Sequence, residues 1–174
     1  FYGNAKIVQL MHDEGAKPTI VSACVVGDRD LVERLLTKYD SFPNFEGVLH
    51  QLIYGKQYEW IPYMIEHGAD PNYFLEYKSP LHVAATTGDI RAAKLLIEQK
   101  GNVHCKKAHA GGHPSVLDIA IQNDHAEMVK FLLDHGATCN LSPWSIASIF
   151  GSAKVAHVLA ERDYPVTADM VEDA

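Results

Sequence analysis

The sequence predicts an all-α solenoid built from stacked helix-turn-helix pairs, and two observations carry this prediction. First, the segment SPLHVAATTGDIRAAKLLIEQKGNVH (79–104) can be laid over SVLDIAIQNDHAEMVKFLLDHGATCN (115–140) without a gap, and such self-similarity is typical of repeat architectures. Second, apolar residues recur at three- and four-residue intervals along one stripe of a helix, namely at Ile90, Ala93, Leu96 and Ile97. One such helix pair cannot enclose a core, so we expect the copies to stack in a line.

The same frame extends over most of the chain, which we interpret as a single domain, residues 1–174. Five repeats are complete in their helices and cover residues 18–40, 47–72, 79–104, 115–140 and 142–164. Residues 3–16 match only the second half of a repeat and its closing Gly-Ala, so the sequence is expected to begin in the middle of a repeat. Residues 165–174 are acidic and helix-prone, which suits either a terminal cap or the start of a further repeat.

The opening of one copy carries a family resemblance. Its stretch SPLHVA (79–84) resembles the T-P-L-H-x-A motif of ankyrin repeats. The resemblance implies a turn and two helices per repeat, with a β-hairpin finger between repeats. It also implies a binding surface made of the finger tips and the concave face of the first helices. Because the copies are unequally spaced, we expect fingers that are short or missing, most clearly at residues 16–18 and 140–142.

Some positions depart from the family pattern. His50 and His82 hold its usual histidine, for which the resemblance implies a structural role with hydrogen bonds near the junction between repeats. Other residues replace this histidine elsewhere and predict less regular repeats, namely Val21, Asp118 and Ser145. Pro62 falls inside an outer helix, where proline removes a backbone hydrogen bond and clashes with the preceding turn. That helix should therefore begin late or bend.

Composition and charge narrow the class of function. The chain is 47% hydrophobic and 21% charged, which is ordinary for a globular protein, and no apolar run reaches the length of a membrane-spanning helix. A formal net charge of −7 disfavours nucleic acid, whose binding depends on clustered Lys and Arg. The scattered cysteines Cys24, Cys105 and Cys139 cannot form a disulfide framework. We therefore expect an intracellular, cytoplasmic monomer that binds neither nucleic acid nor membrane.

One long finger contains groups that bind metals. Cys105, His109 and His113 are spaced four apart, and thiolate and imidazole are zinc ligands. The surrounding AHAGGHP segment offers no fixed tetrahedral geometry, so we favour an exposed polar finger without metal, in which His109 and His113 contact a partner. No cofactor is expected. The sequence has no phosphate loop, GxGxxG or HExxH motif and suggests no nucleophile with its base, so we expect no enzymatic activity.

The finger at residues 72–78, NYFLEYK, is unusually aromatic. Aromatic side chains dominate interface energetics, and tyrosine is enriched in binding hot spots. We predict that this finger contacts a partner through Tyr73, Phe74, Glu76, Tyr77 and Lys78. The alternative is that some of these rings pack onto the protein's own scaffold.

The concave face supplies the second predicted surface. The variable inner-helix positions implied by the resemblance fall in the middle repeats on Tyr54, Thr86, Thr87, Gln122 and Asn123. At the two ends the same positions are apolar, namely Val25, Val26, Ile149 and Phe150. These four residues either extend a groove or are buried where the fingers are missing.

The sequence therefore predicts a protein-interaction module that binds a partner protein or peptide through finger tips and a concave face. The alternative is a target-recruiting segment of a larger multidomain protein, such as a host-directed effector, whose enzymatic domain lies outside these residues. A nucleotide or RNA binder would use exposed aromatics for stacking, but the sequence lacks the basic groove that accompanies them.

Overall fold

A computed structural model of the chain describes residues 5–38, 47–104 and 114–165, which form eleven α-helices. In chain order these are α1 (Ala5–Asp13), α2 (Ile20–Val26), α3 (Arg29–Lys38), α4 (Val48–Tyr54), α5 (Trp60–Glu66), α6 (Pro80–Thr87), α7 (Ile90–Glu98), α8 (Val116–Gln122), α9 (Ala126–Asp134), α10 (Pro143–Phe150) and α11 (Ala153–Glu161).

The helices lie in two rows. The inner helices α2, α4, α6, α8 and α10 each pack against the next inner helix, and the outer helices α5, α7, α9 and α11 do the same on the other side. Each inner helix also packs against the outer helix that follows it. The prediction of stacked helix pairs is confirmed. The described residues contain no β-strand beyond an isolated antiparallel bridge between Leu75 and Lys78, and no helix among them has both the length and the apolar character needed to cross a bilayer.

The hydrophobic core runs between the two rows. Ala84 and Ala85 of α6 are fully buried, and their small side chains let the neighbouring helices approach closely. On α7, Ala93 and Leu96 are also fully buried, whereas Glu98 is exposed. The predicted inward stripe of this outer helix is confirmed. Full burial of one leucine side chain contributes about 1.5–3 kcal/mol, and repetition of this pattern along the stack builds one continuous core.

Hydrogen-bonded N-caps set the start of α2, α6 and α8, and in α2 this corrects the sequence frame. In α6 the Ser79 hydroxyl accepts from the His82 N–H, and the Ser79 N–H donates to His82 Nδ1. In α2 the N-cap is Thr19, and Ser22 makes the reciprocal bonds. Ser22, and not Val21, therefore occupies the position equivalent to His82. The sequence alignment placed the position equivalent to His82 one residue too early. The reason is that α2, capped by Thr19, is one residue shorter at its start than α6.

Pro62 lies in the first turn of α5. The helix begins at Trp60, so Pro62 is its third residue, where an N–H would have no intrahelical partner. The hydrogen bond that proline removes is thus one that the helix would not make at this position. The prediction that this helix begins late is confirmed, since α5 has seven residues whereas α7 and α9 have nine.

The turn between α6 and α7 requires a glycine for two separate reasons. Gly88 has a φ of +68°, and a Cβ added there would lie 2.9 Å from Nδ1 of His125. The His125 ring is held in place because its Nε2 donates to the Thr86 carbonyl at 3.1 Å. Gly151 occupies the equivalent turn of the last repeat with a φ of +67°, but a Cβ there would meet no atom within 4 Å. A comparison of substitutions at the two glycines therefore separates the cost of backbone strain from the cost of steric contact with His125.

We expect Gly88→Ala to lower the free energy of unfolding more than Gly151→Ala. Both substitutions place a Cβ in the left-handed region, which costs about 1–2 kcal/mol. Only Gly88→Ala also displaces His125 and its hydrogen bond, which adds about 1 kcal/mol. Urea denaturation followed by circular dichroism measures both losses. Equal losses would show that the His125 ring moves away without cost.

Candidate partner-binding surface

Buried histidines fix the base of two fingers to the inner helix that precedes each of them. His50 of α4 donates from Nε2 to the carbonyl of Lys78 at 2.8 Å. His82 of α6 donates from Nε2 to the carbonyl of Pro114 at 3.3 Å. Both side chains are buried. The predicted structural role of the two histidines at the junction between repeats is confirmed.

Asp118 makes the corresponding link from α8 with the opposite hydrogen-bond polarity. Its side chain is buried, and its carboxylate accepts from the N–H of Asn140 at 3.1 Å and from the N–H of Ser115 at 2.7 Å. A buried carboxylate is tolerated only when hydrogen bonds replace the water that it has lost. The link between an inner helix and the following segment is therefore kept although the histidine is replaced.

Burial holds both histidines in the neutral form. His82 Nδ1 lies 2.7 Å from the Ser79 hydroxyl and accepts from the Ser79 N–H at 3.2 Å, while Nε2 carries the proton. Burial lowers the pKa of His82 to about 4, and it also lowers the pKa of His50. His50 Nδ1 has no hydrogen-bond partner, and the N-cap residue of α4 is Gly47, which has no hydroxyl to offer.

The lowered pKa of His82 should make stability depend on pH. Below its ordinary pKa of 6.5 the unfolded chain binds a proton at this histidine, whereas the folded chain does so only near pH 4. Unfolding between pH 4 and 6.5 takes up a proton, so the contribution of neutral His82, on the order of 3 kcal/mol, is present above pH 6.5 and lost as the pH falls towards 4. The urea midpoint should fall more steeply with acidification in the wild type than in His82→Gln. Parallel curves would contradict this assignment.

The aromatic finger ends in a two-residue hairpin. Leu75 and Lys78 exchange two backbone N–H···O=C hydrogen bonds, both of 2.9 Å. The central residues Glu76 and Tyr77 have φ values of +46° and +71°, and positive φ at both central residues is the requirement of a type I′ turn. A side chain in this region costs about 1 kcal/mol or more. The turn is therefore held by the contacts of the rest of the finger.

Two apolar side chains anchor this finger to the helices. The Phe74 ring is half buried against the core, with its centroid 5.7 Å from that of His82. Leu75 lies over Gly47, so closely that a Cβ at Gly47 would come within 2.7 Å of Leu75 Cδ2. Phe74 thus takes part in the scaffold, which is the alternative that the sequence left open for some of the rings.

The tip of the finger is exposed. Tyr77 retains 47% of its accessible surface, and Glu76 and Lys78 are exposed beside it, whereas Tyr73 is half buried. The structure therefore brings three of the predicted contact residues, Glu76, Tyr77 and Lys78, together on one turn. We refer to residues 76–78 as the finger tip.

The concave face of the middle repeats is polar but carries no charge at the predicted positions. Tyr54 is 43% exposed at the end of α4. In α6 the hydroxyls of Thr86 and Thr87 donate to helix carbonyls at 2.8 and 3.0 Å, and directly after α8 the Asn123 amide donates to the Ile119 carbonyl at 2.8 Å. Gln122 is half buried beside Asn123. The two threonines and the asparagine thus bond back to carbonyls four residues earlier in their own helices, and all five positions present an uncharged surface.

The last inner helix continues this face with exposed apolar side chains. Ile149 is 71% exposed and Phe150 is 54% exposed, so the alternative that these two residues are buried is wrong. Residues 140–142 are too few to form a finger that would cover them. Leu141, which sequence reasoning missed, is 62% exposed, and the signal for it was the shortness of this connection. At the other end of the array, Val25 and Val26 are half buried.

The remaining predicted contacts, His109 and His113, lie outside the described residues together with Cys105. The expectation of an exposed, metal-free finger therefore stays a prediction. In the parts of the chain that the structure describes, no three His, Cys, Asp or Glu side chains are grouped to hold a metal ion. Cys24 is buried, and burial raises the pKa of its thiol to about 12.

The architecture defines a class of protein, the solenoids of helix-turn-helix repeats, in which successive repeats are joined by short fingers or hairpins. A family model of three ankyrin repeats matches residues 20–107, 49–143 and 81–169 of the chain. The chain belongs to the ankyrin repeat family, whose repeats generally mediate protein–protein interaction.

Three curated proteins are similar to parts of the chain. Alpha-latrocrustotoxin-Lt1a of Latrodectus tredecimguttatus is 33% identical over 134 residues, which are 72% of this chain and 9% of the toxin. The B-cell lymphoma 3 protein homolog of Mus musculus is 36% identical over 73 residues, 42% of this chain and 16% of that protein. Alpha-latroinsectotoxin-Lt1a of Latrodectus tredecimguttatus is 29% identical over 89 residues, 51% of this chain and 6% of the toxin. The chain thus spans only a small part of the length of each relative.

Proposed function

We propose that the chain binds a partner protein or peptide through the finger tip and the concave face of its inner helices. The observation that carries the proposal is the exposure of two tyrosines on a fixed frame, since Tyr54 and Tyr77 keep 43% and 47% of their surface exposed. Tyrosine offers a large contact area at a small cost in conformational entropy and is enriched in binding hot spots.

The frame around these tyrosines supports tight binding because it is ordered before a partner arrives. The hydrogen bond from His50 to the Lys78 carbonyl and the packing of Phe74 against His82 fix the base of the finger. The two backbone hydrogen bonds between Leu75 and Lys78 close its turn. A surface that is already ordered loses less entropy on association than a mobile loop does.

Charge supports a protein partner over a nucleic acid. The formal net charge of the chain is −7, and none of the concave positions described above carries a basic side chain. Binding to a phosphate backbone depends on lysine and arginine contacts that release counterions. An uncharged concave face is better suited to the mixed polar and apolar surface of a protein.

The proposal includes a non-catalytic role in a reducing, intracellular compartment. Three side chains that could act in chemistry instead belong to the scaffold: His50 and His82 are buried and hydrogen-bonded, and the Cys24 thiol is buried with a raised pKa. Buried thiols of this kind are inert. Cys24 forms no disulfide, which suits a compartment in which disulfides do not form.

A second candidate is that these repeats recruit a target for a domain that lies outside these residues. The lengths of the relatives favour it, because the matched segments are 9%, 16% and 6% of those proteins. Both candidates use the same surface. The full-length reading frame separates them, since only the second requires a further domain.

We expect Tyr54→Gln combined with Tyr77→Asn to weaken partner binding at least tenfold, or about 1.4 kcal/mol. Glutamine keeps the helix propensity at position 54, and asparagine tolerates the positive φ at position 77, so the melting temperature should barely change. Partners are first captured from cell extract with the wild-type chain and identified by mass spectrometry. The affinity of the purified partner for both chains is then measured by calorimetry. Phe74 is left unchanged because its loss would perturb the scaffold.

The matched control changes exposed residues on the outer row. Lys94 and Glu98 lie on α7 and are both exposed, so Lys94→Ala with Glu98→Ala should keep the wild-type affinity. A tyrosine variant that binds as tightly as the wild type would contradict the proposal. Equal weakening in the control would instead place the binding surface on the outer helices.

A further inference from the structure

An open groove of about 340 Å³ lies on the concave face between α8 and α10. Its described apolar border consists of Pro114, Leu141, Ile146, Ile149 and Phe150. Ile146 is buried, whereas the side chains of Leu141, Ile149 and Phe150 are more than half exposed. Contiguous exposed apolar surface on a folded domain is characteristic of an interaction site. We call this feature the apolar groove.

The scaffold itself does not require apolar residues at these positions. Counted back from the turn that ends each inner helix, the equivalents of Ile149 and Phe150 are Thr86 and Thr87 in α6 and Gln122 and Asn123 in α8. Both threonines and the asparagine donate to carbonyls of their own helix, which isoleucine and phenylalanine cannot do. The apolar pair in α10 therefore leaves more hydrophobic surface in water without a gain for the helix.

The charges around the apolar groove indicate the chemistry of its occupant. Among the lining residues that the structure describes, Asp118 is the only ionisable one. It is 3% exposed, and its carboxylate already accepts from the N–H groups of Ser115 and Asn140. The described part of the lining thus offers no counter-charge to a basic, acidic or phosphorylated side chain, and an unpaired charge placed against it would lose hydration without compensation.

A second copy of this chain fits the apolar groove poorly. Each copy carries a formal net charge of −7, so two copies repel each other at close range. An uncharged segment of a different protein meets no such barrier.

We propose that the apolar groove binds an uncharged peptide segment of a partner protein, which inserts side chains of the size of leucine, isoleucine or phenylalanine between α8 and α10. This inference rests on the proposed protein-binding function and assigns a chemistry to one part of that surface. The occupant covers Ile149 and Phe150, and the uncharged amide of Gln122 lies at the same groove for polar contact with a peptide backbone.

The test is selection of a phage-displayed library of random dodecapeptides on the full chain. The enriched sequences should carry large apolar residues and no net charge. Synthetic peptides of these sequences, measured by fluorescence anisotropy, should bind Ile149→Ser/Phe150→Ser at least tenfold more weakly than the wild type. They should bind Ile7→Ser/Leu10→Ser with unchanged affinity, because this control removes exposed apolar side chains from α1 instead. All positions changed are exposed, so the folded state should persist in both variants.

Several results would overturn the inference. These are enrichment of charged peptides, unchanged affinity in the groove variant, or no enrichment over a selection on that variant. Self-association of the wild type in sedimentation, abolished in the groove variant, would assign the groove to a second copy instead. A natural partner that loses affinity with the tyrosine variant but not with the groove variant would remove this inference while the proposed function stands. A natural partner that binds both variants as tightly as the wild type would contradict both this inference and the proposed function.

Discussion

The structure depends on one constraint, which is that a single helix pair cannot bury its own apolar stripe. Leu96 of α7 is fully buried only because inner and outer rows on both sides enclose it, and the same holds for Leu132 of α9. Apolar burial is the main favourable term in folding, and here it is obtained between neighbours along the stack. Such a stack is stabilised repeat by repeat, by intrinsic stability and nearest-neighbour contacts. The polar groups at each junction must therefore be satisfied locally.

Three different side chains meet this demand in this chain. His82 donates to the next repeat, Asp118 accepts from the segment that follows, and Ser22 bonds back to His12 of the preceding helix. The type of side chain differs between these repeats while its position in the inner helix is the same, because each of the three side chains leaves few buried polar atoms unpaired. These links also fix where the fingers leave the helices. The finger tip and the uncharged concave face are thereby held in place, so that exposed side chains on them can vary without loss of the fold.

The helix pairs were predictable from sequence because their signal is local. The spacing around Leu96 fixes a helix face, and repetition of that pattern implies stacking. Features that depend on non-local contacts were not predictable. The position of Ser22 follows from a cap one residue away from the expected frame. Phe74 is half buried because the His82 ring lies beside it. Tyr77 adopts a positive φ, which a glycine at this position would have indicated in the sequence. The exposure of Ile149 depends on what covers α10, which no local pattern specifies.

The central claim is that binding uses the inner row and the finger tip while the outer row serves only the scaffold. Chemical-shift mapping of the isotopically labelled chain, titrated with an identified partner, tests this most directly. The account predicts perturbed amide resonances in residues 76–78 and on α6, α8 and α10, with those of α7, α9 and α11 unchanged. Perturbations concentrated on the outer helices, with the finger tip and concave face unaffected, would contradict it.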